Sequence, residues 1–289
     1  MIAVRGHGSS VRPRRGYVFG FAVSKPLATF GAALVLFILL AALLSPLVAQ
    51  DPFEQRYDAV LQAPSWSFPL GTDELGRDVW SRVIWGSRIS LYVAGLSVAT
   101  GTTLGALLGL IGGFYGGRWD FLIQRLMDGM LAFPTLILAL TIVAMLGASI
   151  NNVVAAVAIV GIPTSARVLR SAALAVKKNE YVNAAQAIGS RNDRILFLHV
   201  LPNCLAPFIV MATVDLGRAI IVEASLSFLG VGTPPPNPSW GAMLSGAGRD
   251  FLQRAPWLAI APGVPITLTV LGFNLLGDGL RDILDPRLR

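Results

Sequence analysis

The chain has 289 residues, of which 54% are hydrophobic and only 13% are charged. Soluble domains carry about 25% charged residues, so this composition excludes an ordinary soluble globular protein and points to a lipid bilayer. The net charge of +7 is no nucleic-acid footprint, because the basic residues are not clustered with stacking aromatics; Lys and Arg retained beside membrane spans account for it.

Residues 1–25 read as a cytoplasmic tail with Arg5, Arg12, Arg14 and Arg15. No charge occurs from Pro26 to Gln50, about 35 Å of helix against a bilayer core of about 30 Å. Residues 26–49 are therefore expected to be the first transmembrane helix. A signal peptide has a similar order of charges, but this apolar run is long for one. Leu47-Val-Ala49 is also a poor cleavage site, which favours a retained anchor.

Residues 50–88 are expected to be extracytoplasmic. Gly71 to Arg88 predicts an amphipathic helix capped by Thr72 or Asp73, with Leu75, Val79 and Val83 on one face beside Trp80, lying in the outer interface. Residues 89–280 are expected to hold five more helices. The run Ile89–Gly117 is uncharged, and Gly101, Gly105, Gly109, Gly113 and Gly117 recur every fourth residue in it. That spacing predicts a ridge without side chains on which another helix packs closely.

The uncharged stretch from Gly129 to Ala166 is too long for one span, and Gly147 to Asn152 is a natural hairpin within it. Helices are predicted near 120–146 and 152–172, with Asp128 interfacial beside Arg125. Pro134, Pro163 and Pro207 fall inside predicted spans, where each removes a backbone hydrogen bond and can kink its helix.

The segment 173–202 is polar between apolar runs. Asn179 can cap a short helix over 180–188, and Gly189 can end it in a left-handed turn. Ser190 with Asp193 resembles a capping box for a second helix, and Pro202 leads into the next apolar run. A compact basic helix hung between two spans has the form of a docking knob.

The fifth span is predicted over about 203–229. Asp215 and Arg218 share a face there, three residues apart, with Glu223 further along. A charge at bilayer depth costs about 2.5–3.5 kcal/mol on insertion scales. Two readings stand: a structural ion pair at a subunit contact, or a polar lining for a charged solute. The Thr233 to Trp240 piece is proline-rich and stiff, and is expected to close the outer mouth against a neighbouring subunit. The sixth span follows near 257–279, then a cytoplasmic tail, 281–289. With the N-terminus inside, cytoplasmic segments hold most Lys and Arg, including Lys177, Lys178, Arg191 and Arg194, so both termini are expected to be cytoplasmic.

One cysteine, Cys204, and two histidines, His7 and His199, make no disulfide or zinc motif. No lysine follows a glycine as a phosphate-binding Walker loop requires, and no Ser-His-Asp set or paired carboxylates suit catalysis. A non-catalytic chain with no metal and no cofactor of its own is expected.

The docking segment resembles the EAA signature of bacterial ABC importer permeases: Ala184 and Ala185, then Gly189, then Leu201-Pro202 at the family's spacing. Asn183 stands where the family often has Glu, and His199 where an aliphatic residue is common. Gly71 to Asp78, Glu223 to Gly230 with Pro238 to Gly241, and Asn274 to Arg287 narrow the resemblance to the second permease subunit of the dipeptide/oligopeptide/nickel branch.

The resemblance implies an all-α integral membrane protein with six transmembrane helices in the type I ABC importer (MetI-like) fold, in the bacterial inner membrane. It implies a sister permease, two cytoplasmic ATPase subunits that hold ATP and Mg, and an extracytoplasmic solute-binding protein as partners. Glu180, Tyr181, Asn183, Ala184, Ala185, Gly189, Arg191, Arg194, Leu201 and Pro202 would couple to an ATPase. Substrates of the branch include peptides, glutathione, nickel and sugars. The competing readings are an ion-coupled carrier using Asp215, Arg218 and Glu223 as a relay, and a membrane enzyme.

Overall fold

The computed structural model describes residues 25–246 and 251–284. Arg5, Arg12, Arg14, Arg15, Arg249, Arg287 and Arg289 lie outside them. The described residues are helical: α1 Pro26–Leu43, α2 Val79–Tyr115, α3 Gly117–Leu131, α4 Thr135–Leu146, α5 Ile150–Lys177, α6 Glu180–Ala187, α7 Asn192–Phe228, α8 Trp240–Leu244 and α9 Trp257–Leu284. Five of these are long and apolar enough to cross a membrane, and the bent pair α3–α4 makes a sixth candidate.

The α2–α5 contact is the closest in the bundle, and glycine explains it. Gly101 meets Ala158, Gly105 meets Ile162 and Ser165, Gly109 meets Ala166, and Gly113 meets Arg170. A Cβ on Gly105 would lie 2.5 Å from the Ile162 carbonyl oxygen, and one on Gly113 2.8 Å from that of Arg170. The helices approach backbone to backbone, which is how spans gain dispersion contacts in lipid. Gly117 departs from the expected ridge: it sits at φ +55° with nothing near its missing Cβ, in the turn that starts α3.

Two expected elements differ. The interfacial helix before residue 88 does not form as a separate element; α2 begins at Val79 and runs unbroken for 37 residues. Its cap is Asp78, which accepts from the Ser81 amide at 3.0 Å and hydroxyl at 2.6 Å, in place of Thr72 or Asp73. Asp73 instead accepts from the amides of Leu75 and Arg77, each at 2.9 Å, and so folds 73–77 as a turn. Arg77 and Arg82 both reach Asp73, and Val79 and Val83 pack on Ala255, Leu258 and Ala261. The segment is thus folded onto the bundle.

The third predicted helix is two helices meeting at 90°. Pro134 has no N–H to donate and sits at ψ 131°, outside the helical region, so α3 ends before it and α4 restarts behind it. Asp128 pairs with Arg167 at 2.6 Å, while Arg125 lies over the Phe121 ring. The α4–α5 hairpin forms as read: Gly147 takes φ +90°, Ser149 caps α5, and the Asn152 amide donates to both Leu146 and Gly147 carbonyls at 2.9 Å.

The proline-rich loop turns against the chain's own helices. Trp240 is fully buried, its indole N–H donating to the Val83 carbonyl at 3.0 Å and its backbone N–H to Ser90 Oγ at 3.3 Å. Ser90 in turn donates to Glu223 at 3.1 Å, which also accepts from Ser227 at 2.8 Å. A buried carboxylate is tolerable only when its oxygens are hydrogen-bonded, and these bonds tie α7, α2 and the proline-rich loop together.

Candidate coupling helix and intramembrane cavity

The helix α6 is the shortest element with a face on each side. Val182 is buried and Ala185 nearly so, packed in one apolar cluster with Ala106, Leu110 and Phe114 of α2, Leu169 and Ala173 of α5, and Ile195 and Val200 of α7. Glu180, Tyr181, Asn183 and Ala184 face outward from the bundle. Two inward residues therefore seat the helix, leaving a polar outer surface with small Ala184 at its centre.

The turn after α6 explains the glycine. Gly189 lies at φ +80°, with its N–H on the Gln186 carbonyl and the Ser190 N–H on the Ala185 carbonyl, both at 3.0 Å. This is a Schellman closure, which satisfies two terminal carbonyls and favours a residue without Cβ. Asn179 occupies the N-cap position but makes no side-chain cap bond; its amide donates to Tyr181 Oη at 3.2 Å. The expected Ser190–Asp193 capping box is also absent: the next turn, Asn192–Ile195, is preceded by Arg191 without a side-chain cap. Asp193 pairs instead with Arg191 at 3.1 Å, and both are exposed. Arg194 is exposed, and Leu201 and Pro202 continue α7 after a π-helical turn, Leu196–Val200. His199 in that turn lies 6.0 Å from the Tyr181 ring, and no metal-binding group of side chains occurs among the described residues.

Two pairs that the sequence reading missed brace this end of the bundle. Arg170 and Asp120 join α5 to α3 through two parallel bonds. Lys177 donates to the Phe114 carbonyl at 2.7 Å, a cation on the exposed carbonyl end of α2.

Deeper in the bundle, Asp215 and Arg218 meet as their spacing predicts, at 3.4 Å. Asp215 also accepts from Thr102 of α2 at 3.2 Å and Ser165 of α5 at 3.5 Å. The signals for these partners were hydroxyls placed one residue from the glycine ridge and from its contact Ala166. Asp215 is buried, whereas just over half of the Arg218 side chain is exposed (56%). Two cavities, of about 300 Å³ and about 670 Å³, meet the pair, and Thr164, Asp215 and Arg218 line both. Glu223 is not with them. It is sealed among serines toward the proline-rich loop and lines neither cavity, so the three charged residues of the supposed relay are not brought together.

Residues 101–289 match the protein family described as binding-protein-dependent transport system inner membrane component. Residues 23–64 match that described as the N-terminal TM domain of oligopeptide transport permease C. The chain is 48% identical over 266 residues to the di/tripeptide transport system permease protein DppC of Pseudomonas aeruginosa, covering 90% of this chain and 88% of that one. It is 46% identical over 265 residues to the dipeptide transport system permease protein DppC of Alkalihalophilus pseudofirmus, covering 91% and 86%. It is also 46% identical over 249 residues to the glutathione transport system permease protein GsiD of Pectobacterium atrosepticum, covering 86% and 82%.

Proposed function

The chain belongs to the binding-protein-dependent family of inner-membrane transport components, and from that premise we propose that it is one half of a peptide importer's pathway, moved by an ATPase docked on α6. It is a multi-pass ABC importer permease with the all-helical type I (MetI-like) fold. Short peptides are its proposed substrates, since relatives named for dipeptides and for the tripeptide glutathione both align over most of the chain. A sister permease completes the pathway, two cytoplasmic ATPases hold ATP and Mg, and a solute-binding protein delivers cargo from outside. Both termini and α6 lie on the cytoplasmic side.

The observation that carries this reading is the division of α6 into a seated face, Val182 and Ala185, and an outward polar face around Ala184. The seat is built from α2, α5 and α7 together, so a push on α6 reaches three spans. The sequence carries no phosphate-binding Walker loop, and the chain's share of the work is to convert that push into a change of access, as rigid bundles rock in other carriers.

The test is to place cysteine at Ala184 and crosslink in membranes containing the whole complex. Crosslinking to an ATPase subunit, with labelling only by reagents that enter the cytoplasm, is expected. Labelling of residues 180–189 from outside would overturn the reading. Uptake of labelled dipeptide, glutathione, nickel and sugar by the same complex names the substrate class.

A further inference from the structure

Asp215 has three donors within reach, whereas Arg218 gives it a single bond at 3.4 Å. A guanidinium carries five N–H donors in a planar fork. Among the described residues, Asp215 is the one group in salt-bridge or hydrogen-bond contact with Arg218, so most of that fork is uncommitted. An arginine at mid-span that is more than half exposed does not rest against hydrocarbon, because that placement is costly. It opens onto the two cavities, and it stands at their junction.

The surroundings fix what the fork can take. Asp215 is held in place by Thr102 and Ser165, from two other helices, so the arginine can turn toward a solute without stranding the acid. On the side of the larger cavity a second arginine, Arg281 of α9, lines the wall. Thr164 lines both lobes and offers a hydroxyl beside the pair. The positions available to a passing molecule thus present uncommitted N–H donors and positive charge. Asp215, the acid that lines both lobes, is already occupied.

From this we infer that Arg218 is a specificity residue of the pathway that binds an organic carboxylate in transit, namely the terminal carboxylate of a short peptide. This rests on the peptide reading above and adds the group recognised within the membrane. Planar fork-to-carboxylate pairing is the geometry for which arginine is suited and lysine is not. The two lobes are large enough together for a small peptide, which would hand its carboxylate from Arg218 toward Arg281 as it descends.

The experiment uses proteoliposomes holding the complete complex with its binding protein. Uptake is measured for alanyl-phenylalanine and for its C-terminal amide, with wild type, Arg218→Gln and Arg218→Lys. The binding protein is common to all three, so any change in the acid-to-amide ratio arises in the membrane subunit. Arg218→Gln is expected to lower the maximal rate for the acid about ten-fold, equivalent to about 1.4 kcal/mol, with little effect on the amide; Arg218→Lys falls between. An unchanged acid-to-amide ratio in either variant overturns the inference, whether both rates fall together or neither does. If Arg218→Gln does not assemble, the Arg218→Lys ratio decides alone. Failure of the wild-type complex to take up either compound, while it imports another solute, would overturn the peptide reading itself.

Discussion

Arg170 of α5 and Asp120 of α3 are joined fork to fork, Nε to Oδ1 at 2.5 Å and Nη2 to Oδ2 at 2.6 Å. The hydrogen bond to Arg170 draws the two helices together beside the end of α2, about two turns before Lys177 caps that helix. Both side chains are partly exposed, so screening reduces the pair's contribution below that of a buried one. Asp120→Ala is expected to destabilise the purified complex by about 1 kcal/mol. Arg170→Ala and the double variant complete a thermal-denaturation cycle, in which the double variant should lose less than the sum of the singles. Additive losses would mean that the two groups do not act as a pair.

The glycine seam makes a sharper prediction. Gly109→Ala and Gly105→Ala each place a methyl group against the backbone of α5, where neither helix can give way. Assembly is expected to fall, with losses of about 1–3 kcal/mol of the order seen for overpacked interiors. Gly95→Ala lies on the same helix with nothing within reach of its Cβ, and should assemble as wild type. Size-exclusion profiles of the detergent-extracted complex read both outcomes.

Two adjacent alanines should behave differently. Ala184→Trp adds bulk to the outward face of α6, and is expected to leave the membrane subunit folded while blocking ATPase attachment or coupled uptake. Ala185→Trp drives bulk into the seat formed with α2, α5 and α7, and is expected to lower the subunit's own thermal stability. Gly189→Ala carries a left-handed strain of about 1 kcal/mol, read as partial loss of coupling. Equal effects from Ala184→Trp and Ala185→Trp would contradict the two-faced reading of α6.

Glu223 is fully buried and accepts from Ser90 and Ser227. Glu223→Ala removes the acceptor of both hydroxyls and opens a cavity, with an expected cost of about 2–3 kcal/mol. Glu223→Gln preserves most of the bonding and should transport at near wild-type rate with an intact response to ATP. Loss of transport in Glu223→Gln at normal stability would give this residue a role in proton movement.

The parts legible in the sequence were those set by one element alone. Four-residue glycine spacing announced the seam because the period belongs to a single helix. Gly189 announced the end of α6 because its left-handed turn is local. The Asp215–Arg218 contact followed from three-residue spacing on one face. What escaped was decided between elements. Pro134 marks a kink in the sequence, but the hydrophobic pattern continues across it, so the 90° size of the break and the split into two helices were not legible. Trp240 looked like a stiff outer loop's end, and only its seat on Val83 and Ser90 shows it to be interior. Asp73 looked like a helix cap, yet its oxygens fold a turn and hold two arginines. Asp128 was matched with a neighbour in sequence, while its partner lay on the next span.

Between Ile150 and Phe228 the backbone leaves the helix at two places only, residues 178–179 and 188–191. α6 is therefore a stiff crossbar between two hinges, with α5 hanging from one end and α7 from the other. Ser165 on the first arm and Asp215 on the second touch at 3.5 Å. Tilting the crossbar must change the spread of the two arms, and with it the spacing of that contact. The cavity walls and α6 are thus jaws and handle of a single forceps.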